Sequence, residues 1–126
     1  MSINEKIRVL LVDDCSVFRE ILHGFLAKRS NLEVVGHAGN GRQALELSKE
    51  LSPDVVVMDV NMPVLDGIQA TRELSVKCPG VKVVAHTLES DHFSRNGMIQ
   101  AGACAYISKA GKPSKLIKAI EKAAAA

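Results

Sequence analysis

Pro53–Gly67 reads PDVVVMDVNMPVLDG, and its first half decides the fold. Val55 to Met58 is an unbroken, largely β-branched apolar run, preceded by Pro53 and closed by an acid, Asp59. A strand with one wet face alternates apolar and polar residues, whereas one that is apolar throughout is covered on both faces, as in a parallel sheet. Val81 to Ala85, VKVVA, repeats the pattern. Working outward, Ile7 to Val12, Glu33 to Val35 and Ala105 to Ile107 read as further strands, which makes five. Between the first two, Val17, Phe18, Ile21, Leu22, Phe25 and Leu26 fall on one apolar face of a helix. Gln43 to Leu51 reads as a helix stopped by Pro53, and Ile68 to Val76 as one stopped before Pro79 and Gly80. A fourth helix is predicted from about Ser90 to Ala101, and a fifth from Pro113, a favoured first-turn proline, through Leu116, Ile117 and Ile120. Strands alternating with helices imply right-handed crossovers and a three-layer α/β sandwich.

The 126 residues are enough for one core, so residues 1–126 read as a single domain. With 47% hydrophobic and 24% charged residues the chain has ordinary globular usage, which argues against disorder or a fibrous repeat. No apolar run approaches the roughly 20 residues of a membrane span, and the N-terminal apolar stretch is too short for a signal peptide. The expected compartment is therefore the cytoplasm, with no membrane partner. Cys15, Cys78 and Cys104 are odd in number and widely spaced, as free thiols are. The net charge of +2 does not by itself argue for nucleic-acid binding.

In such sheets ligands bind beyond the carboxyl ends of the strands. The predicted strand ends place Asp13 and Asp14 after the first strand, Asp59 after the third, Thr87 after the fourth, and Ser108 and Lys109 after the fifth. Three carboxylates a few ångströms apart repel by several kcal/mol unless neutralised, and a divalent cation is the natural remedy. Mg²⁺ suits a sparse site, because it takes one or two carboxylates, keeps waters and leaves room for a phosphate oxygen. An aspartate can attack phosphorus directly, with a lysine and a hydroxyl stabilising the transferring group.

VLLVDD at the first strand, DVNMPVLDG around Asp59, Thr87 after VKVVAH, and GACAYISK ending in Lys109 resemble the receiver domains of two-component response regulators. The resemblance covers nearly the whole chain. It implies a flavodoxin-like, CheY-like (βα)5 fold with strand order 2-1-3-4-5. It also implies phosphoryl transfer to Asp59 from a sensor histidine kinase, dependent on Mg²⁺. Asp14, Asp59 and the backbone carbonyl of Asn61 would hold the ion, with Asp13 reaching it through water. Lys109 and Thr87 would contact the phosphoryl oxygens, and Thr87 with Tyr106 would form the switch, Thr87 shifting inward and Tyr106 changing rotamer in step. The family often has a small residue where Leu88 stands and a proline where Ala110 stands; Leu88 is expected to narrow access for water or a donor. GIQATRELSVKCPGVKVV and KAGKPSKLIKAI are similar to receivers of the LuxR-type regulators, which carry a helix-turn-helix domain. DNA contact is therefore expected only through such a C-terminal domain, absent from this chain. Lys112, Lys115, Lys118 and Lys122, on one side of the last helix, read by default as a solvated face, although the flank of helix 4, strand 5 and helix 5 resembles the surface that receivers use for a homodimer or output partner.

Other residues read as structural. Asp66 reads as a helix-start residue, Pro63 and Gly67 as shapers of the backbone, and Gly36, Gly39 and Gly41 as a turn, not a phosphate cradle. Cys15 reads as packing and His86 as a hydrogen-bonded core imidazole; with His23, His37 and His92 it lacks zinc-ligand spacing. Two alternatives use the same residue types. A phosphorylation-independent pseudo-receiver would signal by binding alone. An aspartyl-phosphate-type phosphatase would place its nucleophile early, within DxD, whereas here the paired acids come first. The chain is expected to be a switch, limited to self-catalysed phosphotransfer and autodephosphorylation, and not a turnover enzyme.

Overall fold

The computed structural model describes residues 5–88 and 92–126. Strands and helices alternate as β1 (Ile7–Val12), α1 (Ser16–Ala27), β2 (Leu32–Ala38), α2 (Gly41–Leu51), β3 (Val55–Met58), α3 (Gly67–Lys77), β4 (Lys82–Thr87), α4 (His92–Ala101), β5 (Ala105–Ser108) and α5 (Pro113–Ala125). The sheet is parallel throughout, in the order β2-β1-β3-β4-β5. The two-residue period of the strands divides the core between its faces. Leu10, Val12, Val56, Met58, Val83 and Ala85 pack against Ala44 and Leu45 of α2, Ala70 and Leu74 of α3, and Met98 of α4. Val9, Leu11, Val55, Val57 and Val84 pack against Leu22 and Leu26 of α1 and Leu116, Ile117 and Ile120 of α5. Each fully buried large side chain contributes about 1.5–3 kcal/mol, so β3, buried at all four positions, anchors the acid that follows it.

Three readings of the sequence change in the structure. β2 runs to Ala38, beyond Val35, because Gly36 lies inside the strand and not in a turn. The register slips there, Val9 facing Val34 and Leu10 facing Gly36, and a Cβ on Gly36 would lie 3.0 Å from Leu51 Cδ1. On α1 only one of two adjacent apolar stripes is covered: Leu22 and Leu26 are buried, while Val17, Ile21 and Phe25 remain 62%, 55% and 43% exposed. Cys15 is exposed at the N-cap of α1, not packed away. All three cysteines are free thiols. Ser90, the expected start of α4, lies outside the described residues; from His92 onward the helix is as predicted. Among the described residues no helix is long and apolar enough to cross a membrane.

Candidate functional site: an acidic cavity at the carboxyl edge of the sheet

β1 delivers Asp13 and Asp14 to the edge. Asp13 is fixed by its own N–H, which donates to the Ala38 carbonyl at 3.0 Å, and its Oδ1 accepts the Cys15 N–H at 2.9 Å. From β3, the Asp59 N–H donates to the Val12 carbonyl at 3.0 Å, and Asp59 Oδ1 accepts the Val60 N–H at 2.8 Å. Behind Asp59 the chain turns through Asn61 and Pro63 into α3, whose N-cap Asp66 accepts the Gln69 N–H at 2.9 Å. Gly67 is required at this junction: a Cβ there would collide with the Asp59 carbonyl oxygen. Its N–H instead donates to the Val60 carbonyl at 2.8 Å, tying the helix start to the acid's own segment. β5 brings in Lys109, whose N–H donates to the Thr87 carbonyl at 3.0 Å and so joins the ends of β4 and β5.

A cavity of about 270 Å³ is lined by Asp13, Asp14, Cys15, Asp59, Asn61, Thr87, Leu88 and Lys109. One carboxylate oxygen from each of Asp13, Asp14 and Asp59 lies within 4.8 Å of the others. Asp13 and Asp59 are buried and Asp14 is exposed. The Lys109 ammonium bridges the two buried acids, against Asp13 Oδ2 and 3.3 Å from Asp59 Oδ2, and lies 4.6 Å from the centre of the Phe18 ring. Tyr106 lies outside this lining, in register with Ala85, half-buried against the core and 5.8 Å below the Arg95 guanidinium. Leu88 stands 72% exposed at the rim.

One lysine between two buried carboxylates leaves the charges unbalanced. Burial raises the Asp59 carboxyl above its ordinary value; the Lys109 charge opposes this, Asp13 reinforces it, and the Thr87 hydroxyl, hydrogen-bonded to the carboxylate, opposes it again. Burial pulls Lys109 down, but its hydrogen bond to Asp13 and the charges of Asp59 and Asp13 outweigh this and leave it raised. His86, at the buried end of β4, is held to about 4 by burial and then by the Lys109 charge. Its ring lies 5.7 Å from that of Phe18, an apolar neighbour that its predicted hydrogen-bonded state did not include. The donor set fits a hard cation: three carboxylates and an asparagine border one cavity, and only one of the acids is exposed.

The sequence pattern left several participants unread. Phe18 and Arg19 fall within an amphipathic helix, and nothing local singles them out. Arg19 nonetheless donates to the Asp13 carbonyl and, through Nε, to His37 Nδ1 at 3.4 Å, while His37 Nε2 lies 2.9 Å from His23 Nδ1. These contacts span 18 and 14 residues of sequence.

Comparison with known proteins agrees with the geometry. Residues 9–121 match the response regulator receiver domain family. Response regulator GacA of Pseudomonas viridiflava is 44% identical over 115 residues, covering 90% of this chain and 53% of that protein. Chemotaxis protein CheY of Thermotoga maritima is 38% identical over 115 residues, covering 91% of this chain and 95% of that protein. The signal receiver domain of the response regulator NarL from Mycobacterium tuberculosis superposes with a TM-score of 0.92 at 30% identity, covering 96% of this chain and 98% of that one. The chain thus spans about half the length of its GacA relatives and nearly all of the chemotaxis protein. With the family matched over most of its length and the fold shared with solved receivers, the chain belongs to the response regulator receiver domain family.

Proposed function

We propose that Asp59 is the phosphoacceptor of a two-component phosphorelay, taking its phosphoryl group from the phosphohistidine of a sensor histidine kinase. The observation that carries this reading is the convergence of the Asp13, Asp14 and Asp59 carboxylates within 4.8 Å, with a single lysine bridging the two buried ones. An Asp59 oxygen attacks phosphorus, the P–N bond to the donor imidazole breaks, and an acyl phosphate remains on Asp59. Lys109 would pair with the charge arriving on the phosphoryl oxygens, and the Thr87 hydroxyl would hydrogen-bond one of them. Asp14, Asp59 and the Asn61 carbonyl would hold Mg²⁺, with Asp13 acting through water, as in the family the chain belongs to. Bound there, the cation would neutralise the clustered acids and offset charge on the equatorial phosphoryl oxygens.

The Thr87 hydroxyl is hydrogen-bonded to Asp59 and Tyr106 is half-buried on the neighbouring strand, which supports reading them as a pair able to respond to a phosphoryl group on Asp59. New charge at Asp59 would then bias the β4–α4 connection and the flank of α4, β5 and α5, where a homodimer or output partner would dock. A cytoplasmic location follows from a kinase donor. The reaction is a self-catalysed phosphotransfer with slow autodephosphorylation, not metabolic turnover. Borohydride reduction after incubation with Mg²⁺ and acetyl phosphate tests the assignment, since an acyl phosphate on an aspartate is reduced to homoserine. Peptide mass spectrometry is expected to find homoserine at position 59; its appearance at 13 or 14, or at no position, would overturn the assignment.

A further inference from the structure

We infer that Arg19 is a positioning residue for the acidic cavity, bracing the peptide between Asp13 and Asp14 while itself held by the His37–His23 pair, so that the site follows the protonation of two histidines. This rests on the reading of the cavity as the phosphoacceptor site and names a control built into it. Arg19 lies in the first turn of α1 and is half-buried. Its Nη1 donates to the Asp13 carbonyl and lies against the connection after β2, where a Cβ on Gly39 would be 3.7 Å from it. That carbonyl belongs to the peptide linking the buried acid to the exposed one. Fixing its plane fixes the direction in which the Asp14 side chain leaves the strand.

The brace has a defined proton inventory. A guanidinium can only donate, so His37 Nδ1, 3.4 Å from Arg19 Nε, is the bare nitrogen and the His37 proton sits on Nε2. That N–H donates to His23 Nδ1 at 2.9 Å, which places the His23 proton on its far nitrogen. Both rings are therefore neutral, each in one tautomer. A proton added to His37 lands on Nδ1 and sets N–H against N–H and charge against charge at Arg19. A proton added to His23 lands on Nδ1, facing the His37 donor, and forces His37 into the tautomer that again confronts Arg19. Either event breaks the Arg19–His37 contact. The charged groups bearing on His37 come from α1: His23 and Arg19 oppose its protonation, after burial, and Glu20 favours it. Leu11 of β1 lies beside it in register, and α2 packs on the opposite face of the sheet through Ala44 and Leu45.

His37→Gln separates the two roles, because a carboxamide oxygen still accepts from Arg19 but does not titrate. The experiment follows the Asp14 and Cys15 amides of the metal-free protein by NMR as pH falls from neutrality, together with Mg²⁺ affinity and acetyl phosphate labelling. In the wild type these amides are expected to shift in step with the His23 and His37 ring carbons, and Mg²⁺ affinity to fall more steeply than in His37→Gln. Arg19→Gln is expected to bind Mg²⁺ about tenfold more weakly near neutrality and to lose the histidine-linked component, as removal of an outer-sphere support does. Amides indifferent to the histidines, or identical pH profiles for wild type and His37→Gln, would overturn the brace. So would a folded Arg19→Gln that keeps wild-type affinity; if that variant does not fold, the comparison with His37→Gln decides alone. A wild type whose amides track the histidines but which takes no phosphoryl group would overturn the role of Asp59 and leave the brace standing.

Discussion

Replacing Lys109 with methionine keeps the side-chain stem beside Phe18 and removes the one positive charge that bridges Asp13 and Asp59. The consequence can be sized from the geometry. Two carboxylates up to 4.8 Å apart repel by roughly 3–4 kcal/mol at an effective dielectric constant of about 20. At 3.3 Å the Lys109–Asp59 attraction is about 5 kcal/mol on the same scale, so the lysine more than offsets the repulsion. Removing one partner of a buried ion pair costs about 3–5 kcal/mol. Asp59, already biased toward protonation by burial, relieves part of that by taking a proton. Lys109→Met is therefore expected to lose about 3 kcal/mol in urea unfolding followed by circular dichroism near neutral pH in EDTA. Saturating Mg²⁺ is expected to restore more stability to the variant than it adds to the wild type, because lysine and cation compete for the same oxygens. A loss below about 1 kcal/mol in EDTA, or an equal Mg²⁺ gain in both proteins, would refute the electrostatic account.

Three further outcomes are open to measurement. His86, held to about 4 in the fold against 6.5 when unfolded, takes up its proton more readily in the unfolded chain. Its contribution is therefore complete above about pH 6.5 and lost as pH falls toward 4, by up to about 3 kcal/mol. His86→Leu should show a shallower acid loss across that window in urea titrations, and parallel curves would contradict the assignment. Gly67→Ala drives a methyl group into the Asp59 carbonyl and should cost about 1–3 kcal/mol as well as slowing acetyl phosphate labelling; wild-type stability and labelling would show that the junction has slack. Leu88→Ala, which opens the rim of the cavity, should speed loss of the acyl phosphate, and an unchanged rate would show that Leu88 does not restrict access.

The elements most legible in the sequence were those whose burial is two-sided. Ile7–Val12 and Val55–Met58 are apolar enough that their predicted and observed bounds coincide. β2 was read short because Gly36 and His37 interrupt its apolar pattern, although the backbone ladder does not need that pattern to continue. The apolar face of α1 was visible, but how much of it the sheet covers depends on helix placement, which periodicity does not contain. The residues lining the cavity were readable because acids, a hydroxyl and a lysine each follow an apolar strand, and a parallel sheet brings such ends together. The bracing of Asp13 by Arg19 and the pairing of His37 with His23 join α1 to the ends of β1 and β2, and no local motif marks them. Val64 at φ 72° is a further local surprise, since a β-branched residue rarely adopts a left-handed conformation. It lies in the tight turn closed by the Leu65 N–H donating to the Pro63 carbonyl at 2.8 Å, between Asp59 and α3.

The role of Asp59 is tested most directly by intact mass after incubation with Mg²⁺ and acetyl phosphate, comparing the wild type, the wild type in EDTA, and Asp59→Asn. One labile phosphoryl adduct is expected on the wild type with Mg²⁺ and none in the other two samples. An adduct of equal yield on Asp59→Asn, or no adduct on a folded, Mg²⁺-binding wild type with either acetyl phosphate or a phosphorylated histidine kinase, would contradict that role.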